Sequence, residues 1–361
     1  YKRQLQFISD GRAVTNSGDI LLDANGDLTT TSGGPPVLSA TTGAITIGST
    51  GTLRVAGHID HGSGGTTIDG GGGLISGVIS GAGGLTVNRG ETLTLAAAND
   101  YAGVTTINRG TVVLTSGGTL GSTVGETIIN GNGTLFDAVL ELDSGVTSNE
   151  HVTIAGSDGL IRGGVGATLA GDVTLAAVDK AIIQVPTSGS GTFTVSGDIR
   201  GSIGGKSELD ILGGTGNLVF SGDNSYAAAT RIIAGATLKA DSDSAIPDLS
   251  QLVLLDGTVE LKDFDQTIGS LSGGAAGTLV LDDNSITIGE DDLSTTYSGV
   301  ISGKSVASIA KTGAGTLTLD GPLSYGGPTS VQAGTLELNS AATTTIDVQN
   351  GATLALSLIH I

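Results

Sequence analysis

One short spelling recurs in this chain, and it restricts the fold more than any other feature. Gly315-Thr316-Leu317-Thr318-Leu319 returns 19 residues later as Gly334-Thr335-Leu336-Glu337-Leu338, with a single tyrosine, Tyr325, between them. The tandem occurs at residues 90–114, 216–240 and 313–338. In each copy a tyrosine (Tyr101, Tyr226 or Tyr325) lies six residues after the second apolar residue of the first strand (Leu95, Phe220 or Leu319). A glycine (Gly110, Gly235 or Gly334) follows nine residues after each tyrosine. Agreement at two independent offsets marks one structural unit used three times. Each copy has a preface: GVISG at 77–81 and 299–303, and the looser GDIRG at 197–201. Asn88-Arg89-Gly90 and Asn108-Arg109-Gly110 stand 20 residues apart, so the unit is 19–20 residues long.

The material between the copies has the same style. ITIGSTGTLRVAG (45–57), GATLAGDVTL (166–175) and GTLVLDDNSITIG (277–289) alternate apolar and polar residues over short runs bounded by Gly, Asn, Asp and Ser. Such runs read as strands, and helical periodicity is nearly absent. Strands this short cannot form a core alone; each unit buries its apolar face by stacking on its neighbours. A right-handed, single-stranded parallel β-helix (an all-β, elongated β-solenoid) meets that need, with rungs of about 20 residues. Leu317 then stacks near Leu336, and Leu317 and Leu319 point inward while Thr318 points out. About 18 rungs at ~4.8 Å would reach about 85 Å. A β-sandwich array needs units of ~100 residues, which the 20-residue echo argues against.

Composition supports a folded chain. Glycine accounts for 62 of 361 residues, against a usual ~7%, while proline numbers 6, so glycine reads as punctuation between strands rather than as disorder. The net charge of −20 repels phosphate backbones and anionic membrane surfaces, so nucleic acid is not an expected partner. No apolar run approaches the ~18 residues of a membrane helix. The chain has no cysteine and no methionine, opens with YKRQLQF, and reads as an internal segment of a longer protein. LSLIHI (356–361) breaks the style of everything before it. We read residues 355–361 as a non-native tail, and residues 1–354 as one β-helix with its repeat motifs at 77–114, 197–240 and 299–338.

These residues carry a family resemblance. The pattern GVISG…KTGAGTLTL…SYGGPTSVQAGTLEL resembles the autotransporter-associated β-helix repeat of Gram-negative passenger domains. The third copy matches closely. The first departs at Val112-Val113-Leu114, and the second at Ala227-Ala228-Ala229, where Gly and Thr are usual. The motifs and prefaces cover about a third of the chain. The resemblance implies type V export through a C-terminal outer-membrane β-barrel as partner, folding outside the cell, and a place on the bacterial surface. Relatives of this kind act in adhesion, biofilm or virulence, with host-cell, matrix or self-association ligands. Absence of cysteine fits a chain threaded through a pore.

Candidate chemistry is sparse. Gly205-Lys206-Ser207 and Gly303-Lys304-Ser305 resemble the end of a phosphate-binding loop, but the earlier glycines, Gly201 and Gly299, stand one residue too close. They read as turns. His58, Asp60 and His61 lie together, with His58 and Asp60 on one strand face and His61 on the other. A metal needs three or four convergent ligands, and a solvated loop is the preferred reading. Acidic clusters at Asp241–Asp243, Asp282-Asp283 and Glu290-Asp291-Asp292 lack calcium-loop spacing and read as solvated loops. A polysaccharide lyase or hydrolase is the rival function; Asp143, Asp210 or Asp265 could contribute, but no second feature selects them. Flat threonine arrays bind ice or minerals in some folds; Thr92, Thr94, Thr316 and Thr318 exist, but not a T-x-T on every rung. Tyr101, Tyr226 and Tyr325 are expected to pack over a strand-to-turn corner with the hydroxyl at the edge. No catalytic, cofactor-binding or metal residue is assigned, and the expected role is an extracellular adhesive stalk.

Overall fold

The computed structural model describes residues 13–15, 20–24, 28–30, 38–176, 179–201, 207–340 and 345–357. Among these residues every regular element is a β-strand. The chain coils as a parallel β-solenoid of about 15 turns with roughly 21 residues per turn. Two compact units divide at Thr174/Leu175.

In the first unit, Thr66–Ile68, Leu85–Leu95, Thr105–Leu114, Thr127–Asn130 and Val152–Gly156 succeed one another in one ladder, each paired in parallel with its neighbours. A second ladder runs through Leu53–Val55, Gly73–Ile75 and the latter halves of Leu85–Leu95 and Thr105–Leu114, then Ala138–Leu142 and Gly159–Gly163. Leu38–Ala40, Ile59–Asp60 and Ile79–Ser80 lie in a third. The second unit has the same plan. Its longest ladder passes through Glu208–Leu212, Ala229–Ile233, Gln251–Leu254, Ser270–Gly273, Thr295–Tyr297, Thr316–Leu319, Thr335–Leu338 and Thr353–Leu356. The last strand thus continues through Leu356, which pairs with Leu338, and residues 358–361 lie outside the described residues.

The duplicated spelling is explained directly. Thr316, Leu317, Thr318 and Leu319 pair residue for residue with Thr335, Leu336, Glu337 and Leu338. Leu317, Leu319, Leu336 and Leu338 are buried to 1% exposure or less, while Thr318 and Glu337 between them are half-buried. Alternation along the strand and stacking across turns therefore place like on like, as expected. The first copy pairs Leu93 with Val112 and Leu95 with Leu114; the second pairs Leu218 with Leu238 and Phe220 with Ala240.

Rung length is less uniform than the repeat suggests. Thr316 meets Thr335 after 19 residues, Thr127 meets Val152 after 25, and Lys180 meets Glu208 after 28. A turn has only to bring the backbone back into register; extra residues leave as outer loops such as 131–137 and 185–191. Hence about 15 turns stand where about 18 were expected.

The motif glycine has a conformational cause. Gly110, Gly235 and Gly334 have φ of 87°, 73° and 62°, a left-handed backbone that costs other residues roughly 1–2 kcal/mol. At Gly334 a Cβ would also lie 2.5 Å from the carbonyl oxygens of Gly313 and Gly315. Outside the core, register is reinforced by opposed charges on paired residues: Glu141 with Arg162 (2.9 Å) and Lys239 with Glu260 (2.8 Å).

Leu336→Ala is expected to cost about 2–5 kcal/mol, and Thr335→Ala about 0.5 kcal/mol, although the two residues are adjacent. Urea unfolding followed by circular dichroism measures both; equal losses would contradict the inward–outward alternation.

Candidate functional site

The repeat tyrosines form the most elaborate polar structure in each copy. Tyr101, Tyr226 and Tyr325 are buried at 0%, 2% and 2% exposure. The hydroxyl does not sit at an edge, as the sequence reading expected. It meets the hydroxyl of a threonine four residues on: Tyr101 with Thr105 (2.6 Å), Tyr226 with Thr230 (2.8 Å) and Tyr325 with Thr329 (2.6 Å). Those threonines start inward-facing strand positions and are themselves buried. Thr105 then donates to the Leu120 carbonyl (3.0 Å), and Thr230 meets Ser250 Oγ (3.0 Å), which donates to the Ala228 carbonyl (2.8 Å). A buried phenol demands such a partner, because an unsatisfied hydroxyl costs about 1–3 kcal/mol. Burial pushes the Tyr101 and Tyr226 phenols well above their usual range, so they stay neutral. The signal was present as Y-x-x-x-T in all three copies.

Two residues before the tyrosine, the first two copies carry a buried asparagine. Asn99 accepts from the Ile79 amide (2.8 Å) and donates to the Thr119 carbonyl (2.7 Å). Asn224 does the same with Ile199 (2.7 Å) and Ala245 (2.8 Å). The side-chain amide bridges the turns before and after it, replacing a strand's own backbone pairing. The third copy has Leu323 there, and Leu323 belongs to a strand paired with Ile301.

The histidine group is divided by the fold. His58 and Asp60 face outward and His61 inward, as the strand alternation predicts. His58 Nε2 lies 2.6 Å from Ser80 Oγ, and Asp60 accepts from the Gly62 amide at 3.3 Å. His61 is no solvated loop residue: it is fully buried. Its Nε2 donates to the Gly83 carbonyl (3.0 Å), which leaves Nδ1 to accept from Thr66 Oγ1 (2.8 Å). His61 therefore does for Thr66 what Tyr101 does for Thr105, two turns later in the same ladder. The two rings lie 5.9 Å apart. Burial lowers the His61 pKa, opposed by the Gly83 bond and the Asp60 charge. Among the described residues no group of three or more His, Asp or Glu is placed to hold a metal.

The remaining candidates hold turns together. Lys304 pairs with Asp282 (2.6 Å) and Asp283 (3.1 Å) in a turn, without a following helix. Gly205 and Lys206 of the other tripeptide lie outside the described residues. Asp241 pairs with Lys262 (2.8 Å). Asp291 accepts from Ser270 Oγ (2.6 Å), Asp292 from the Ala314 amide (2.7 Å) and Glu290 from Thr312 Oγ1 (3.0 Å). Asp143 accepts from the Ser144 amide, Asp265 from the Ser285 amide, and Asp210 pairs with Arg231 (3.4 Å). Sequence reasoning missed Lys311, which is 1% exposed at an inward strand position. Its ammonium donates to the carbonyls of Thr312, Gly313 (3.0 Å) and Ala333 (3.4 Å), and burial lowers its pKa.

Outward, the first unit carries a file of threonines: Thr46, Thr67, Thr86 and Thr106 are paired neighbours, Ile128 interrupts, and Thr153 resumes. This is one threonine per turn, not a T-x-T array. Beside it Asn108 donates to Asn88 (2.8 Å) and Asn130 to Asn108 (2.7 Å).

Comparison with known proteins follows the same map. The family described as the passenger-associated-transport-repeat matches residues 90–114, 213–240 and 309–338. A protein named adhesin BmaC autotransporter, from Brucella suis biovar 1 (strain 1330), is 38% identical over 160 residues, which are 44% of this chain and 4% of that relative. The chain thus spans a small fraction of that relative's length. Both findings bear out the resemblance to autotransporter passenger domains.

His61 generates a prediction. Its neutral form is held by the fold, so its contribution is complete above its ordinary value near 6.5 and is lost as pH falls through and below that value. Between pH 7 and pH 5 the wild-type chain is expected to lose more stability than His61→Gln, read from urea midpoints at each pH. Equal losses would mean that His61 titrates freely.

Proposed function

We propose that this chain is a cell-surface adhesive passenger segment of a type V-secreted protein, carried outward with an outer-membrane β-barrel as its partner. The observation that carries this reading is a coincidence of position. The three family matches fall on the three tyrosine corners, while the acids, lysines and histidines discussed above serve as cross-links between turns. The coil thereby holds its register internally and leaves its outer faces and loops for contact. Stacked units that touch only neighbours can fold progressively as the chain emerges, which suits export without a folded intermediate inside. A net charge of −20 favours basic or neutral partner surfaces over polyanions. The rival reading, a β-helix enzyme acting on polysaccharide, draws no support from Asp143, Asp210 or Asp265, each of which serves a separate structural bond, Asp143 within its own turn and the other two to the next.

Display of the chain on a heterologous outer-membrane barrel tests this. Cells carrying the fusion are expected to adhere to immobilised matrix protein, or to one another, several-fold more than cells displaying the barrel alone. New reducing ends released from a polysaccharide panel by the purified chain, with no gain in adherence, would instead establish the enzyme reading.

A further inference from the structure

In the turn after Tyr101, one corner of the first unit is built without its tyrosine. Thr127 occupies the ladder position of Thr105, its paired neighbour. Four residues before Thr127, where Y-x-x-x-T would place the ring, stands Thr123. Gly121, Ser122 and Thr123 are all small, and a Cβ on Gly121 would already lie 2.7 Å from the Tyr101 ring. Beside Thr123 lies a recess of about 100 Å³. Thr119 and Thr123 line one side, and Thr147, Ser148, Asn149 and Glu150 the other.

The polar groups of this corner are left over. Thr127 Oγ1, the counterpart of the oxygen that meets Tyr101, is buried with no hydrogen-bond partner; so is Ser122 Oγ. Glu150 is 4% exposed, and its Oε1 has no partner either. Among the described residues no cation pairs with Glu150. Tyr101 is the titratable neighbour whose phenol senses the Glu150 charge, and it stays neutral. His151, the next residue, bonds Thr174 Oγ1 (2.9 Å). A buried carboxylate without a counter-charge is costly, and its burial pushes the Glu150 carboxyl up to about 7. The group therefore either holds a proton or takes a cation from outside.

We propose that this recess binds the terminal ammonium of a primary amine, with Glu150 as counter-charge and neighbouring oxygens as acceptors. One carboxylate balances one positive charge, and an ammonium offers three donors to a recess lined by Glu150, whose Oε1 is unsatisfied, and by the hydroxyl-bearing residues Thr119, Thr123, Thr147 and Ser148. A divalent cation wants six or more oxygens at tight distances, commonly with several carboxylates, which this corner lacks. The volume equals the share of about three water molecules, enough for an aminomethyl end such as that of a lysine side chain. The inference does not rest on the adhesive reading; it concerns this corner alone.

The test is a calorimetric titration of the folded chain with methylammonium and with Nα-acetyl-lysine amide, using tetramethylammonium, which has no N–H donor, as control. Saturable binding of the two primary amines is expected at pH 8. Affinity falls about tenfold for each pH unit below the Glu150 value, because a proton competes for the carboxylate. Binding of methylammonium alone would mark a pocket for free amines; binding of both extends the site to lysine side chains. Glu150→Gln, which mimics the protonated form and keeps the fold, removes binding. Thr123→Tyr restores the Y-x-x-x-T spacing, fills the recess and also removes binding while raising the unfolding midpoint. The proposal is overturned by absent saturation at pH 8, by equal binding of tetramethylammonium, or by binding that survives either substitution.

Discussion

Every feature of this protein depends on the backbone ladder that ties each turn to the next in parallel. That ladder satisfies the main-chain donors and acceptors, and it does so only when a turn returns to a fixed register. Register then decides the core. With Leu317 opposite Leu336 and Leu319 opposite Leu338, a one-residue slip would carry every leucine to the outer face. The opposed charges of Glu141 and Arg162, or Lys239 and Glu260, add preference for the same register from outside. Each half-buried surface pair is worth little, but both point to one alignment.

The corners pose the harder physical problem. A strand can bury apolar side chains by alternation, but a corner must bury backbone groups that no strand pairs. The tyrosine corners solve this with side chains. Tyr101, Tyr226 and Tyr325 fill the space and hand their hydroxyls to threonine, while Asn99 and Asn224 bridge amides and carbonyls of adjacent turns. His61 and Lys311 are other solutions to the same need, one imidazole and one ammonium set among carbonyls and hydroxyls. The groups that first look reactive are therefore cross-links. The corner near Glu150 is instructive by contrast, because its small residues leave oxygens unmatched.

The proposed roles in adhesion and export draw on the same economy of design. A coil whose turns contact only their neighbours can grow from one end, and it needs no disulfide to close long loops. Its variable loops, such as 131–137 and 185–191, enter without disturbing the ladder. Outer faces can diverge while the inner alternation is kept.

The sequence by itself determined the architecture. The 19-residue echo, the alternating Thr and Leu, and the glycine nine residues past each tyrosine require stacked parallel turns with a left-handed corner, and the structure has them. Burial of the tyrosines was legible too, and the threonine partner could have been read from its constant offset. What only the tertiary structure decided lies between residues far apart in the chain. Rung lengths from 17 to 28 residues hide which residues become neighbours, so the Thr46–Thr106 file could not be counted from a fixed period. The same variation concealed that His61 lies near Tyr101 and that Glu150 shares a corner with Thr123. Short-range pattern sets strand and turn; long-range register, which depends on loop length, sets which polar atoms meet and which remain unmatched.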